Sequence, residues 1–485
     1  MPIRAWIEEA AARHGADVYL ADARGAGSLT YAGLLDVVRE TERRLDDAGL
    51  PPGARISVRL ADPLDYATAL VALIAVGRVA VPLDPGAPDT DIARVLGVAR
   101  PAGVVTSRAP AGRRTMDGGG ASGDTLPFGI TAVDLSPLTS GSDGGGIFLC
   151  TSGTTGTPKG ILLREAQLAH VASSVVGWHR LSRADRGYCS LPLFHVNAEV
   201  VGLLGTLRAG AYLALDRKFS RRGFWERIAA DRITWINAVP AIISILAMDP
   251  PASPPTALRF VRSASAPLPL AALERFEKAI GVPVIETYGM TEAASMITAN
   301  PLDGPRKPGS AGQPAGSEVR IDGTGAAADI GPVLIRGGGV ITAYAAGGRP
   351  GAIDDDGWLD TGDLGYLDED GYLFLVGRSD DVINRGGEKI YPREIEEVLL
   401  AQPGVRSAAV IGAADEVLGE RPVAYVVPDG GTVADEVEAV LRAVCAELLP
   451  RHKQPSEFWL VDEMPLGPTG KISRRLLKES VAARS

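Results

Sequence analysis

The stretch Thr151–Gly160, reading TSGTTGTPKG, constrains this chain more than any other. It lies between two apolar runs, Ile147–Cys150 and Ile161–Leu163, each of which reads as a buried strand. Five hydroxyl residues (Thr151, Ser152, Thr154, Thr155, Thr157), the glycines Gly153, Gly156 and Gly160, one lysine, Lys159, and Pro158 fill the ten positions. Glycines let a backbone approach an anion closely, and free N–H groups with hydroxyls cradle phosphate oxygens. Lysine adds a compact positive charge. The common P-loop needs Gly-Lys followed by Ser or Thr, whereas here Pro158 precedes the lysine and Gly160 follows it. A plain surface turn has no need of five hydroxyls, so the chemistry is that of a nucleotide-phosphate loop.

Around this loop the chain alternates strands and helices. Leu29-Thr30-Tyr31 leads into a helix through Leu34, Leu35, Val38 and Leu45 that closes at Gly49. Arg55–Leu60 reads as a strand, Asp65–Val76 as an apolar helix and Val79–Leu83 as a buried strand. Such alternation implies crossover helices and a largely parallel sheet. Residues 109–146, dominated by Gly, Ser, Pro and Asp, read as a flexible surface connection. At 485 residues the chain exceeds what one core organises, so at least two domains are expected. A net charge of −10 argues against a nucleic-acid binder. No run approaches the roughly 20 apolar residues of a membrane helix, and the first residues lack a signal-peptide core. Cys150, Cys189 and Cys445 are far apart and lack metal spacing, which suits reduced thiols in a cytoplasm.

Further motifs follow in order. Leu191–Val196, LPLFHV, carries a histidine in an apolar stretch, with Asn197, Ala198 and Val201 after it. Arg262–Pro269, RSASAPLP, reads as a small-residue turn. Glu286–Glu292, ETYGMTE, offers an aromatic face in Tyr288 able to stack on a base, an acceptor in Glu286, a hydroxyl in Thr291 and a hard oxygen ligand for Mg²⁺ in Glu292. Arg306–Gly339 reads as a small β unit. In Trp358–Gly365, WLDTGDLG, Asp363 occupies a Gly-flanked turn, where a carboxylate can accept two hydroxyls. Gly377–Leu399 contains Arg378, Asp380, the pair Gly386-Gly387 read as a side-chain-free strand edge, Lys389, and a helix opened by Pro392. Glu394, Glu396 and Glu397 suit the dipole at that helix's start. Near the end, PLGPTGKISRR places Lys471 on a Gly-punctuated loop. Only eight of the 49 basic residues are lysine, yet three of those (Lys159, Lys389, Lys471) lie in these motifs. Those sites need a point charge in place of arginine's fork.

This series, spanning nearly the whole chain, resembles the adenylate-forming superfamily, and within it the acyl-CoA synthetases. The resemblance implies an α/β fold: a large N-terminal domain (1–379) of mostly parallel α/β subdomains with a small β subdomain, then a small mobile α+β domain (380–485) hinged at Asp380. It implies an acid–thiol ligase that uses ATP and Mg²⁺ to convert a carboxylic acid to an acyl adenylate and passes the acyl group to coenzyme A. Thr151, Ser152, Gly153, Thr154, Thr155, Gly156 and Lys159 would hold ATP phosphates. Glu286, Thr287, Tyr288 and Gly289 would hold the adenine, Thr291 the α-phosphate, Glu292 the metal, and Asp363 and Arg378 the ribose. Lys471 would act on the carboxylate and α-phosphate. His195, Asn197, Val201, Ala238, Ser263, Ala264 and Thr287 would line the acid pocket, His195 also beside the thiol path. Their mostly small side chains suggest a bulky apolar acid. Gly386, Gly387, Lys389, Arg451 and Lys453 would line the CoA path, with Lys218, Arg221 and Arg222 a second basic cluster. Loading of a free-standing carrier protein, or catalysis of one half-reaction alone, stays open, as does a homodimer.

Overall fold

The computed structural model describes residues 2–107, 114–116, 126–133, 144–151, 159–323, 329–428, 434–466 and 472–482. Two large sheets form the N-terminal part. The ten-stranded sheet runs Gln313–Pro314, Ser295–Ala299, Val284–Met290, Phe260–Ser263, Trp235–Ala238, Arg186–Cys189, Tyr212–Leu215, Val18–Asp22, Gly27–Thr30, Arg114–Met116. Its centre, from Val284–Met290 to Val18–Asp22, is parallel throughout. The six-stranded sheet runs Phe128–Ala132, Gly103–Ser107, Arg55–Val58, Val79–Pro82, Gly146–Thr151, Lys159–Arg164, with antiparallel strands only at its edges.

Helix Pro63–Ala75 is buried on nearly every side, because it packs against strands of both sheets. Asp62 caps it, its carboxylate accepting from the N–H groups of Leu64 and Asp65 (2.9 and 3.2 Å), and Pro63 supplies a first helical residue that needs no N–H partner. The helix after Leu29-Thr30 starts at Tyr31, capped by the Thr30 hydroxyl. One sequence expectation is corrected. The connection 109–146 contains two strands, Arg114–Met116 and Phe128–Ala132, and Phe128 is fully buried. Composition hid them because their pairing partners, Gly27–Thr30 and Gly103–Ser107, are remote in sequence.

A four-stranded antiparallel sheet follows: Glu318–Ile321, Gly331–Arg336, Leu359–Leu367, Leu373–Arg378. The apolar cluster of the N-terminal part reaches Leu373, and separate clusters begin at Ile383. They flank the sheet Glu388–Ile390, Ile383–Arg385, Gly419–Pro428, Val405–Asp415, with Glu457–Leu460 parallel to Gly419–Pro428. Alternate residues face opposite layers: Ala408, Val410, Ala424 and Val426 meet helices Pro392–Leu400 and Ala434–Leu448, while Ala409, Ile411, Val423 and Tyr425 meet helix Arg474–Ala482. Among the described residues, no helix is long and apolar enough to cross a membrane.

Candidate active site

The phosphate loop leaves one strand and enters the next with Thr151 paired to Lys159 across the ladder. Ser152, Gly153, Thr154, Thr155 and Gly156 lie outside the described residues, as does Lys471. The loop's exit is pinned from afar: the Gly160 N–H donates to the Ala346 carbonyl (2.8 Å), and the Ala345 N–H to the Gly160 carbonyl (2.8 Å). A Cβ at Gly160 would meet the Phe148 ring at 2.7 Å, so only glycine fits. Tyr344, just before this contact, lies with its ring centroid 5.5 Å from Lys159 Nζ, while its hydroxyl donates to Glu292 Oε1 (3.2 Å). Burial and the adjacent carboxylate push that phenol well up, so Tyr344 stays a neutral donor. Sequence reading missed Tyr344, which sits in an otherwise featureless stretch, ITAYAA.

Glu292 is buried on the single turn Thr291–Ala293, directly after strand Val284–Met290. A single carboxylate beside nucleotide phosphates suits Mg²⁺, which keeps waters and phosphate oxygens as its other ligands. Among the described residues there is no cluster of three or more His, Cys, Asp or Glu able to cage a metal.

The ribose candidates meet. Tyr288 donates to Asp363 Oδ2 (2.5 Å), and Arg378 Nη1 to Asp363 Oδ1 (3.1 Å), with Asp363 and Arg378 directly paired across adjacent strands. Asp363 is not in the expected turn. It lies within strand Leu359–Leu367, where Gly362 (φ +75°) and a register shift at Leu364/Gly365 bulge the strand. Gly289 is fixed by packing, since a Cβ there would fall 1.3 Å from the Ser295 carbonyl oxygen. The Thr287 hydroxyl donates to the Ser263 carbonyl (2.9 Å), tying the expected adenine segment to the Arg262–Pro269 stretch. Glu286 accepts from the Gly309 N–H (3.3 Å), and burial pushes its carboxyl up to about 7.

The acid-pocket candidates gather at the carboxyl ends of the parallel strands, where such sheets bind ligands. Asn197 and Val201 are buried on a π-helical segment, Asn197–Leu204, and Ala238, Ser263, Ala264 and Thr287 are buried nearby. His195 precedes that segment, its ring tilted against that of Phe194 with centroids 4.6 Å apart. A polar network runs beside these mostly small residues. Asn197 Oδ1 accepts from Arg262 Nη1 (2.7 Å), which also donates to Asn237 Oδ1 (3.1 Å), and Asn197 Nδ2 reaches Ser265 Oγ (3.4 Å). Read as the start of a small-residue turn, Arg262 was overlooked. It is instead a strand residue whose side chain is buried.

On the other side, Gly386 (φ +60°) and Gly387 (φ +92°) form the tight turn joining Ile383–Arg385 to Glu388–Ile390. Two successive positive φ values account for both glycines, which corrects the strand-edge reading. Lys389 is exposed on the second strand. Lys453 is held by both oxygens of Glu394 (2.7 Å each), which leaves Arg451 as the exposed cation of that pair. Glu396 and Glu397 also have partners of their own: Glu396 accepts from Arg474 and the Val410 N–H, and Glu397 pairs with Arg393. These contacts, more than the helix dipole, fix the acidic residues. Arg221 pairs with Asp249 at the surface (3.4 Å). Asp380 sits in the turn Ser379–Asp381 between the two groups of apolar clusters.

Residues 7–345 match the family model described as AMP-binding enzyme, and residues 394–471 that of the AMP-binding enzyme C-terminal domain. The chain is 37% identical to a sulfoacetate–CoA ligase of Cupriavidus necator, covering 94% of this chain and 93% of that protein. It is 35% identical to an oxalate–CoA ligase of Arabidopsis thaliana, covering 94% of each. Among solved structures, ATP-bound MatB from Rhodopseudomonas palustris superimposes with a TM-score of 0.85 at 28% identity over 98% of each chain.

Proposed function

The chain belongs to the AMP-binding enzyme family, and from that premise we propose how its residues carry out the work of an ATP-dependent CoA ligase. The enzyme activates a carboxylic acid with ATP to an acyl adenylate and transfers the acyl group to coenzyme A. A carboxylate is a poor electrophile, and joining its oxygen to AMP makes that oxygen part of a leaving group. The observation that carries the assignment of roles is the convergence of Tyr288, Asp363 and Arg378 beside the Lys159–Tyr344–Glu292 array.

Asp363 accepts the ribose hydroxyls in exchange for its present donors, and Tyr288 presents a ring face for the adenine. Lys159 and the hydroxyls of the loop bind the β- and γ-phosphates. Glu292, oriented by Tyr344, holds Mg²⁺. When bound, that ion neutralises charge on the phosphates. Thr291 bonds the α-phosphate, and Lys471 bridges it to the incoming carboxylate. Asn197, Ser263, Ala264 and Thr287 orient the acid, and His195 stands at the entry of the thiol. We place the domain boundary at Asp380, where the apolar clusters change over. A reducing, cytoplasmic setting fits three free cysteines whose thiols burial raises to about 11.

The test is a pair of assays on the intact enzyme. Pyrophosphate release dependent on an added acid reports adenylation, and thioester formation with CoA reports transfer. Both are expected with the same acid. Transfer to a carrier protein with none to CoA would reassign the acceptor, and release without transfer to either would restrict the enzyme to its first half-reaction.

A further inference from the structure

An arginine buried without a counter-charge is costly, because desolvation of the guanidinium is offset only by a paired anion and full hydrogen bonding. Arg262 is 1% exposed on the central parallel strand Phe260–Ser263. It stands in register with Asn237, and Asn237 with Cys189, so the three side chains share one face of the sheet. The π-helical segment Asn197–Leu204 packs over that face.

Two asparagine carbonyls accept from Arg262 Nη1, at 2.7 and 3.1 Å, and Nε has no partner. Among the described residues no Asp or Glu forms an ion pair with it, and Cys189 is the one ionisable group whose charge bears on it. Amide dipoles orient a guanidinium without neutralising it, and burial draws its pKa down to about 9. Next in the chain, the Ser263 hydroxyl is also buried and unpartnered. The buried ring of His179 nearby has no hydrogen-bond partner on either nitrogen, and burial with the Arg262 charge holds it neutral, with a pKa near 3. One full positive charge, held in place and uncompensated, therefore adjoins the Ser263–Ser265 turn and Asn197 of the acid pocket.

We infer that Arg262, presented by Asn197 and Asn237, is an anion subsite that binds a second acidic group, carboxylate or sulfonate, at the far end of the acid substrate. The inference rests on the ligase reading and names its substrate class. Arg262 pairs with Ile285 on the neighbouring strand, so its side chain shares a face with Ile285 and Thr287, and Thr287 is itself a candidate of the acid pocket.

The test compares kcat/KM for acid-dependent pyrophosphate release with malonate, sulfoacetate and propanoate. The wild type should favour the two dianions over propanoate by at least about tenfold, the smaller end of what a charge-assisted contact supplies. Arg262→Met should abolish that preference, lowering the malonate value about a hundredfold more than it lowers the propanoate value. Arg262→Lys should keep part of it. Stabilisation of each variant by ATP with Mg²⁺, read as a thermal shift, verifies that it is folded. Should Arg262→Met fail to fold, the wild-type preference and its partial retention in Arg262→Lys still decide. Propanoate used as well as malonate and sulfoacetate, or a folded Arg262→Met that keeps the wild-type preference, overturns the subsite alone. No pyrophosphate with any acid overturns the ligase reading and the subsite with it.

Discussion

Glu286 carries a carboxyl that burial pushes up to about 7, partly opposed by the Gly309 N–H and the Arg393 charge. Between the ordinary glutamate value and 7 the folded chain holds a proton there that the unfolded chain has released. The contribution of this group to stability therefore falls as pH rises through that window. Its role toward an adenine amine runs the other way, because only the carboxylate is a pure acceptor. The KM for ATP is expected to fall several-fold from about pH 6 to about pH 8, and Glu286→Gln should flatten that dependence. A KM for ATP that varies equally in both proteins would remove Glu286 from the adenine site. Tyr344 makes a second residue-scale case. Tyr344→Phe removes the donor to Glu292 while keeping the ring beside Lys159. Lost outer-shell donors typically cost 10–100-fold in metal affinity or activity, so the Mg²⁺ concentration for half-maximal pyrophosphate release should rise about tenfold, and an unchanged requirement would refute the orienting role. Tyr288, Asp363 and Glu292 could be singled out as candidates because each sits in a distinctive local string. Tyr344 and Arg262 could not, because their significance comes from residues 52 to 65 positions away.

Strand and helix elements were legible wherever periodicity was local, as in Gly146–Thr151, Lys159–Arg164 and Pro63–Ala75. Where a glycine bends a strand, the same letters read as a turn, and Asp363 was misplaced for that reason. Where two glycines make a hairpin, they read as a bare strand edge. The π-helical segment Asn197–Leu204 could not be foreseen, since one extra residue per turn leaves no periodic mark in so short a run. It brings an acid into the core: Glu199 is fully buried, neither carboxylate oxygen has a partner, and burial raises its pKa well above the ordinary value. Unpartnered buried polar groups cost about 1–3 kcal/mol. Glu199→Met, similar in volume, is thus expected to stabilise the protein by about 1–2 kcal/mol, seen as a higher denaturation midpoint without change in m-value. Glu199→Gln should be close to neutral. A marked loss of stability in Glu199→Met would mean that the carboxyl has a partner in solution.

At the scale of the whole molecule, the question is how the C-terminal part is coupled to the site. Arg393, on helix Pro392–Leu400, donates to the Leu375 carbonyl (2.8 Å) on the last strand before the hinge. Arg474, three residues past Lys471, binds Glu396 (2.5 Å) and Asp381 (3.4 Å). The start of helix Arg474–Ala482 is thus tied both to helix Pro392–Leu400 and to the turn Ser379–Asp381, so it would turn with the C-terminal part as one body. If that body alternates between two poses, residues serving different poses should fail in different assays. Lys471→Ala removes a charge needed in the adenylating pose, and pyrophosphate release should fall by two or more orders of magnitude, since contacts made chiefly in the transition state appear in the rate. Thioester formation from supplied acyl adenylate should survive, because the lysine is then turned away. Asp380→Pro fixes a backbone torsion at the pivot, and should spare pyrophosphate release while blocking transfer to CoA. Arg474→Met loosens the tie without touching either reactant, and should lower pyrophosphate release less than Lys471→Ala does. Equal losses of both half-reactions in Lys471→Ala and in Asp380→Pro would show that one fixed pose serves both, and the hinge would then be no more than a linker.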